Sequence, residues 1–255
     1  MNRSDLLVQK AATIADAGKA KGITVRVAAA CAVRLHCANS VLILDEMQRS
    51  VNDLDFFSLS KHESEIPQLF QQLGYDLSVD FSKYYAHLYG VMRNRFKDPE
   101  TGATIDVFYD KLEMSHTIDL RKRLEVDFPT VSVSDLLLAK MQIVKINKKD
   151  IEDTLVLIKE HEISDSDVES INSNYISKLL AEDWGLYYTV TTNLGRTKES
   201  IDSYQILNSS ADELKKKIDQ LNQTIDTYPK SMRWKLRAKV GTKQKWYADV
   251  DEVSR

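Results

Sequence analysis

Asn52-Asp53-Leu54-Asp55-Phe56-Phe57 and, further along the chain, Thr104-Ile105-Asp106-Val107-Phe108 decide the reading of this sequence. Each is a short apolar run, rich in aromatic and β-branched residues, with carboxylates set inside it. That pattern predicts strands over 53–59 and 104–109. Side chains of a strand alternate faces, so Asp53 and Asp55 point the same way, roughly 6.5–7 Å apart along the chain. If the two runs are neighbouring strands, Asp106 joins them on that face. Three carboxylates converging in an apolar sheet repel one another and resist desolvation. A divalent cation relieves both effects, and Mg²⁺ bridging to substrate phosphates suits such a set.

The composition narrows the alternatives. The chain has 255 residues, 43% of them apolar, which is ample for a buried core in one or two domains. Charged residues make up 29% and the formal net charge is −3, so the molecule as a whole is not a generic polyanion binder. The two cysteines, Cys31 and Cys37, form no CxxC pair and support neither a zinc site nor a disulfide framework. Free thiols in a reducing compartment are the expectation. Met1-Asn2-Arg3-Ser4-Asp5 has no secretory character. No apolar run approaches the ~20 residues of a membrane span. A cytoplasmic protein with no membrane partner is expected.

Spacing predicts a helix over 4–21 capped by Ser4 and ended by Gly18 and Gly22, a strand over 23–30, a short helix over 31–37 and a loop over 39–52. A helix over 62–73 follows. Paired strands over 88–96 and 104–109 are joined by Asp98-Pro99-Glu100-Thr101-Gly102, a turn signal. Ser132-Val133-Ser134-Asp135 has capping-box spacing and opens a stretch that reads helical almost throughout, with helices over 133–146, 149–160, 165–181, 184–206, 211–226 and 230–240. An α+β domain over 1–130 and a helical bundle over 131–255 are expected.

Four stretches in this order resemble the nucleotidyltransferase superfamily, and most of all its AbiEii-like branch, the abortive-infection toxins of type IV toxin–antitoxin systems. They are Ala29-Ala30-Cys31-Ala32-Val33-Arg34-Leu35-His36, Asn52-Asp53-Leu54-Asp55, Ile105-Asp106-Val107, and Leu136-Leu137-Leu138-Ala139-Lys140 followed by Lys149-Asp150-Ile151-Glu152-Asp153. The resemblance implies a mixed β-sheet with flanking helices. It implies transfer of a nucleotidyl group from a nucleoside triphosphate to an acceptor hydroxyl, with release of pyrophosphate. Asp53 and Asp55 would hold the Mg²⁺ or Mn²⁺ that grips the triphosphate, and Asp106 the ion that activates the acceptor. Lys140 would touch phosphate or base. Asp150 and Asp153 would orient Lys140, or Asp150 would act as acceptor base, with solvated helix charges the alternative. Ala29, Ala30 and Arg34 fall in the nucleotide-binding motif, and His36 is either its histidine or a hydrogen-bonded structural one. A toxin with a protein antitoxin is also implied.

The family's opening motif begins with two glycines, or Gly-Ser, where this chain has Ala29-Ala30. A right-handed backbone there accepts alanine. A positive φ would cost on the order of 1 kcal/mol and distort the phosphate cradle. A degenerate relative that binds without turnover is therefore a second reading, and an aminoglycoside or lincosamide adenylyltransferase a third. Between Tyr228 and Tyr247 lie Lys230, Arg233, Lys235, Arg237, Lys239, Lys243 and Lys245 and no acidic residue. Met232, Leu236 and Val240 recur at four-residue spacing and are expected to face the bundle. The basic segment 230–245 suits a phosphate backbone, with a solvated terminal helix balancing an acidic body the alternative, and the resemblance implies tRNA or another RNA as an acceptor.

Overall fold

A computed structural model describes residues 2–78 and 93–249. The chain divides into two compact units. The first comprises residues 1–38, 48–113 and 118–132; the second comprises 39–47, 114–117 and 133–255.

The first unit is built on a mixed five-stranded sheet. Its elements begin with helix α1 (Arg3–Ala20), strand β1 (Val25–Val27) and helix α2 (Ala29–His36). A short helix α3 (Val41–Glu46) belongs to the second unit. The first unit resumes with β2 (Leu54–Ser58), α4 (Ile66–Gln72), β3 (Asp76–Leu77), β4 (Arg93–Lys97) and β5 (Thr104–Tyr109). Two short strands, β6 (Lys111–Glu113) and β7 (Thr117–Asp119), pair with each other. The order in the main sheet is β1-β2-β5-β4-β3. β2 and β5 run parallel, and the other neighbours are antiparallel.

Register divides the side chains between two faces. Leu54, Phe56, Phe96, Ile105 and Val107 form the buried face, each at most 1% exposed. The Phe70 ring of α4 stacks on Phe96 at 4.4 Å and meets Phe56 edge-on at 5.9 Å. The opposite face carries Asp55 and Phe57 of β2, Asp106 and Phe108 of β5, and Arg93 and Arg95 of β4.

Several boundaries depart from the pattern-based expectation for local reasons. Asn2, not Ser4, caps α1: its side chain accepts from the Asp5 N–H at 2.8 Å, and Asp5 answers the Asn2 N–H. Ser4 is buried, and its hydroxyl accepts from the Val51 N–H at 3.0 Å. Gly18 lies inside α1 because the helix presses on β1; a Cβ there would sit 2.9 Å from Val25 Cγ2. The strand expected over 23–30 is only Val25–Val27, because the chain turns into α2 at Ala29. The turn at 98–102 forms as read. The Asp98 N–H donates to the Ala103 carbonyl at 2.9 Å, Thr101 Oγ1 donates to Asp98 Oδ2 at 2.7 Å, and Gly102 takes φ +70°. Of the strand expected over 88–96, residues 88–92 lie outside the described residues.

The second unit is mainly helical: α5 (Val133–Met141), α6 (Lys148–Glu160), α7 (Ser173–Glu182), α8 (Trp184–Ser200), α9 (Ala211–Thr227) and α10 (Met232–Val240). The helix expected over 165–181 starts late because β8 (Glu162–Ser164) pairs in parallel with β9 (Ser170–Asn172) ahead of it. Ser132 accepts from Arg123 at 3.0 Å, and Asp135 accepts from the Tyr175 hydroxyl at 2.8 Å, so both side chains of the expected capping box serve tertiary contacts. No helix among the described residues is long and apolar enough to cross a membrane.

Candidate functional site

The carboxylate-bearing strands meet as adjacent parallel neighbours. Asp55 and Asp106 are direct partners in the β2–β5 register, which puts both side chains on one face, strands about 4.8 Å apart. Asp53 immediately precedes β2 and is half-buried, as is Asp55. The turn into α2 is tied to this strand: the Ala28 N–H donates to the Asp55 carbonyl at 2.8 Å. The Cys31 thiol on α2 is pushed well above its ordinary pKa, chiefly by burial and then by the nearby Asp55 and Asp53 carboxylates, so it stays a protonated free thiol.

Ala29 has φ +49°, in the left-handed region, while Ala30 is an ordinary helical residue. Of the two conditions set out above, the costly one holds at Ala29. The backbone has kept the shape that glycine supplies freely. Arg34 is buried, and its Nη2 donates to the Arg49 carbonyl at 2.8 Å, against the loop that leads to Asp53. His36 is hydrogen-bonded within the first unit: its Nε2 lies 2.7 Å from Thr130 Oγ1, 3.1 Å from the Val131 carbonyl and 3.3 Å from Asp127. This holds the 127–131 segment beside β1, where the Val27 N–H donates to the Pro129 carbonyl at 2.9 Å and the Val131 N–H donates to the Val27 carbonyl at 3.0 Å.

Two residues that the motif reading did not reach complete the site. Arg95, the cross-strand partner of Asp106, donates Nε to Oδ1 at 2.8 Å and Nη2 to Oδ2 at 3.0 Å. Arg93 donates to the same Oδ2. The signal was present in the sequence, since counting back from the 98–102 turn sets Arg95 opposite Asp106.

The donor set can be tested against the cations implied by the resemblance. Asp53 and Asp55 are two half-buried carboxylates of the kind that hold Mg²⁺ when a nucleotide and water complete its shell. Asp106 does not fit. Both its oxygens accept guanidinium N–H groups, and the three aspartates do not bring oxygens within 4.8 Å of one another.

In the second unit, Lys140 near the end of α5 is clamped between two residues of α6. Its Nζ lies 2.8 Å from Asp153 Oδ2 and 3.2 Å from Asp150 Oδ1, and all three residues are buried. Asn147 caps α6 by accepting from the Asp150 N–H at 3.0 Å. Asp150 Oδ2 is buried and accepts no hydrogen bond from the described residues. Both aspartates are thus paired with Lys140.

The basic C-terminal segment is arranged differently from the expectation. Met232, Leu236 and Val240 do not face the bundle; they are 72%, 58% and 40% exposed. The packed face of α10 is aromatic and cationic instead. Trp234 meets Tyr187 edge-on at 5.1 Å, and the Arg237 guanidinium lies 4.7 Å over Trp184 while donating to the carbonyls of Gly241 and Gln244. Rings outcompeted the aliphatic stripe because they bury more surface per residue and offer a face to a cation. Trp246 packs on Trp184 and Tyr188 and donates to Thr189, so neither tryptophan stands out as a stacking platform. Lys230 donates to the carbonyls of Ile225 and Tyr228 at the end of α9. Arg233, Lys235 and Lys239 are exposed.

No protein-family model matches the chain, and no curated protein matches it. Among solved structures it is similar to an antigenic nucleotidyltransferase-like protein from Paracoccidioides brasiliensis, with 12% identity and a TM-score of 0.41 over 89% of this chain and 95% of that one. A likeness that distant carries no argument about chemistry.

Proposed function

We propose that this chain is a nucleotidyltransferase-like protein that binds a nucleoside triphosphate together with one divalent cation on Asp53 and Asp55, and passes the nucleotidyl group to an acceptor hydroxyl. The observation that carries the reading is the parallel register of Asp55 with Asp106, with the turn into α2 bonded to the same strand. In such a transfer the acceptor oxygen bonds to the α-phosphorus as the bond from that phosphorus to the β-phosphate oxygen breaks; pyrophosphate leaves and the hydroxyl proton passes to solvent. A bound Mg²⁺ or Mn²⁺ would supply charge neutralisation on the triphosphate. Asp53 and Asp55 would orient the nucleotide, and the start of α2 would approach its phosphates, with Ala29 keeping the required turn at some strain. Asp106 is held by guanidinium groups on both oxygens.

By the sequence resemblance alone, Lys140, clamped by Asp150 and Asp153, is a phosphate or base contact. Arg233, Lys235 and Lys239 are exposed cations suited to an RNA acceptor, by backbone contact rather than by stacking. A toxin role with an antitoxin partner remains part of the proposal through the sequence resemblance alone.

Titration calorimetry with ATP, CTP, GTP and UTP, each with Mg²⁺, tests the reading. At least one should bind, and Asp53→Asn and Asp55→Asn should each weaken that binding at least tenfold. Binding of none refutes it. Incubation of labelled triphosphate with total RNA then shows whether RNA becomes labelled.

A further inference from the structure

We infer that Arg93 and Arg95 stand where a second divalent cation would, so that Asp106 is the counter-ion of two guanidiniums and not a metal ligand. Strand register builds this pairing into the sheet. Arg95 is opposite Asp106 in the antiparallel β4–β5 pair, and Arg93 is opposite Phe108, the next residue on the same face. The Arg93 guanidinium also lies 4.6 Å over the Phe108 ring, which fixes its plane. Arg95 meets Asp106 in a two-bond fork, the directional form of this interaction.

The carboxylate itself is sealed. The Asp106 side chain is 3% exposed, and those of Arg93 and Arg95 are 11% and 20% exposed. Mg²⁺ gives up its water reluctantly and usually keeps several molecules in its shell. An ionised carboxylate offers about four lone-pair sites, and three guanidinium N–H groups already take most of them. An ion would have to displace both arginines and leave two cations facing it.

This site therefore carries its second positive charge permanently, and the one divalent ion it takes is the one accompanying the nucleotide on Asp53 and Asp55. That ion count rests on the function proposed above; the pairing at Asp106 does not.

Two measurements on the full chain decide it. In a Mn²⁺ titration followed by electron paramagnetic resonance with α,β-methylene-ATP present, the natural protein and Asp106→Asn should each bind one ion, and Asp53→Asn should lose it. Two bound ions, or loss of an ion in Asp106→Asn, overturns the inference. In metal-free thermal unfolding, Asp106→Asn and Arg95→Met should each lower the midpoint by several degrees, and the double variant should fall no further than the worse single one. Additive losses overturn the pairing. If the natural protein binds no Mn²⁺, the proposed function fails, while the unfolding cycle still decides the pairing. If Arg95→Met does not fold, Arg95→Lys, which keeps the charge and loses the fork, takes its place in the cycle.

Discussion

Replacing Ala29 by glycine should stabilise the protein, and replacing its neighbour Ala30 should do the reverse. Ala29 holds φ +49° at the first position of α2. A residue with a Cβ carries roughly 1–2 kcal/mol of strain in that region. Glycine relieves it but frees the unfolded chain, which returns roughly 0.4–1 kcal/mol. The balance favours glycine by about 0.5–1 kcal/mol. For a chain of this size each kcal/mol moves the unfolding midpoint by about 2–4 °C, so Ala29→Gly should raise it by about 1–4 °C. Ala30 is helical and 9% exposed. Glycine there loses about 1 kcal/mol of helix propensity. It also removes a buried methyl worth about 0.8 kcal/mol. The midpoint should then fall by about 4–7 °C. Scanning calorimetry of the two variants beside the natural protein reads both signs. A lowered midpoint for Ala29→Gly, or two variants that move together, would refute the argument that position 29 keeps a glycine-shaped backbone without its glycine.

Lys140→Met should destabilise the second unit by about 3–5 kcal/mol, because it leaves the buried Asp150 and Asp153 facing each other without their cation. Urea unfolding should show the loss, and adding Asp153→Asn should recover at least half of it. His116 gives a pH dependence of known sign. Burial lowers its pKa below 6.5, opposed by Asp183, and its Nε2 is 2.9 Å from Thr189 Oγ1. Below pH 6.5 the unfolded chain binds a proton that the folded state resists, so this contribution is complete above that pH and declines on acidification. Midpoints measured from pH 7.5 to 5 should fall less steeply in His116→Gln than in the natural protein, and equal slopes would sink the assignment.

The strands of the site were legible because their signal is local. Alternating apolar residues around Asp55 and Asp106 set the β2 and β5 faces, and the Asp98–Gly102 turn fixed the hairpin. What was hidden depends on partners distant in sequence. Gly18 looked like a helix end, yet the helix runs on to Ala20 because the missing Cβ lets α1 approach Val25. Ser4 looked like a cap, and its hydroxyl went to Val51 instead. The stripe Met232-Leu236-Val240 has helical spacing, but spacing says which residues share a face and not which face packs. Trp234 and Arg237 on another face found Tyr187 and Trp184. At the site, the aspartates announced themselves as a motif, whereas Arg93 and Arg95 acquire meaning only once the hairpin register sets them against Asp106.

That register also explains how the sheet tolerates its carboxylates. Direct neighbours of like charge on one face are destabilising, and Asp55 beside Asp106 is such a pair. In a site of three bare aspartates the repulsion would be relieved only when an ion arrives, so folding and metal binding would be coupled. Here β4 meets β5 on the side away from β2 and brings two guanidiniums to Asp106. Asp106 is thus compensated before any ligand is present, and Asp55 is left opposite a neutralised neighbour. The arginines relieve the strain that would otherwise draw a second ion in. Their removal should make the same two strands hungrier for metal as well as less stable, and these two effects of one substitution have a single electrostatic origin.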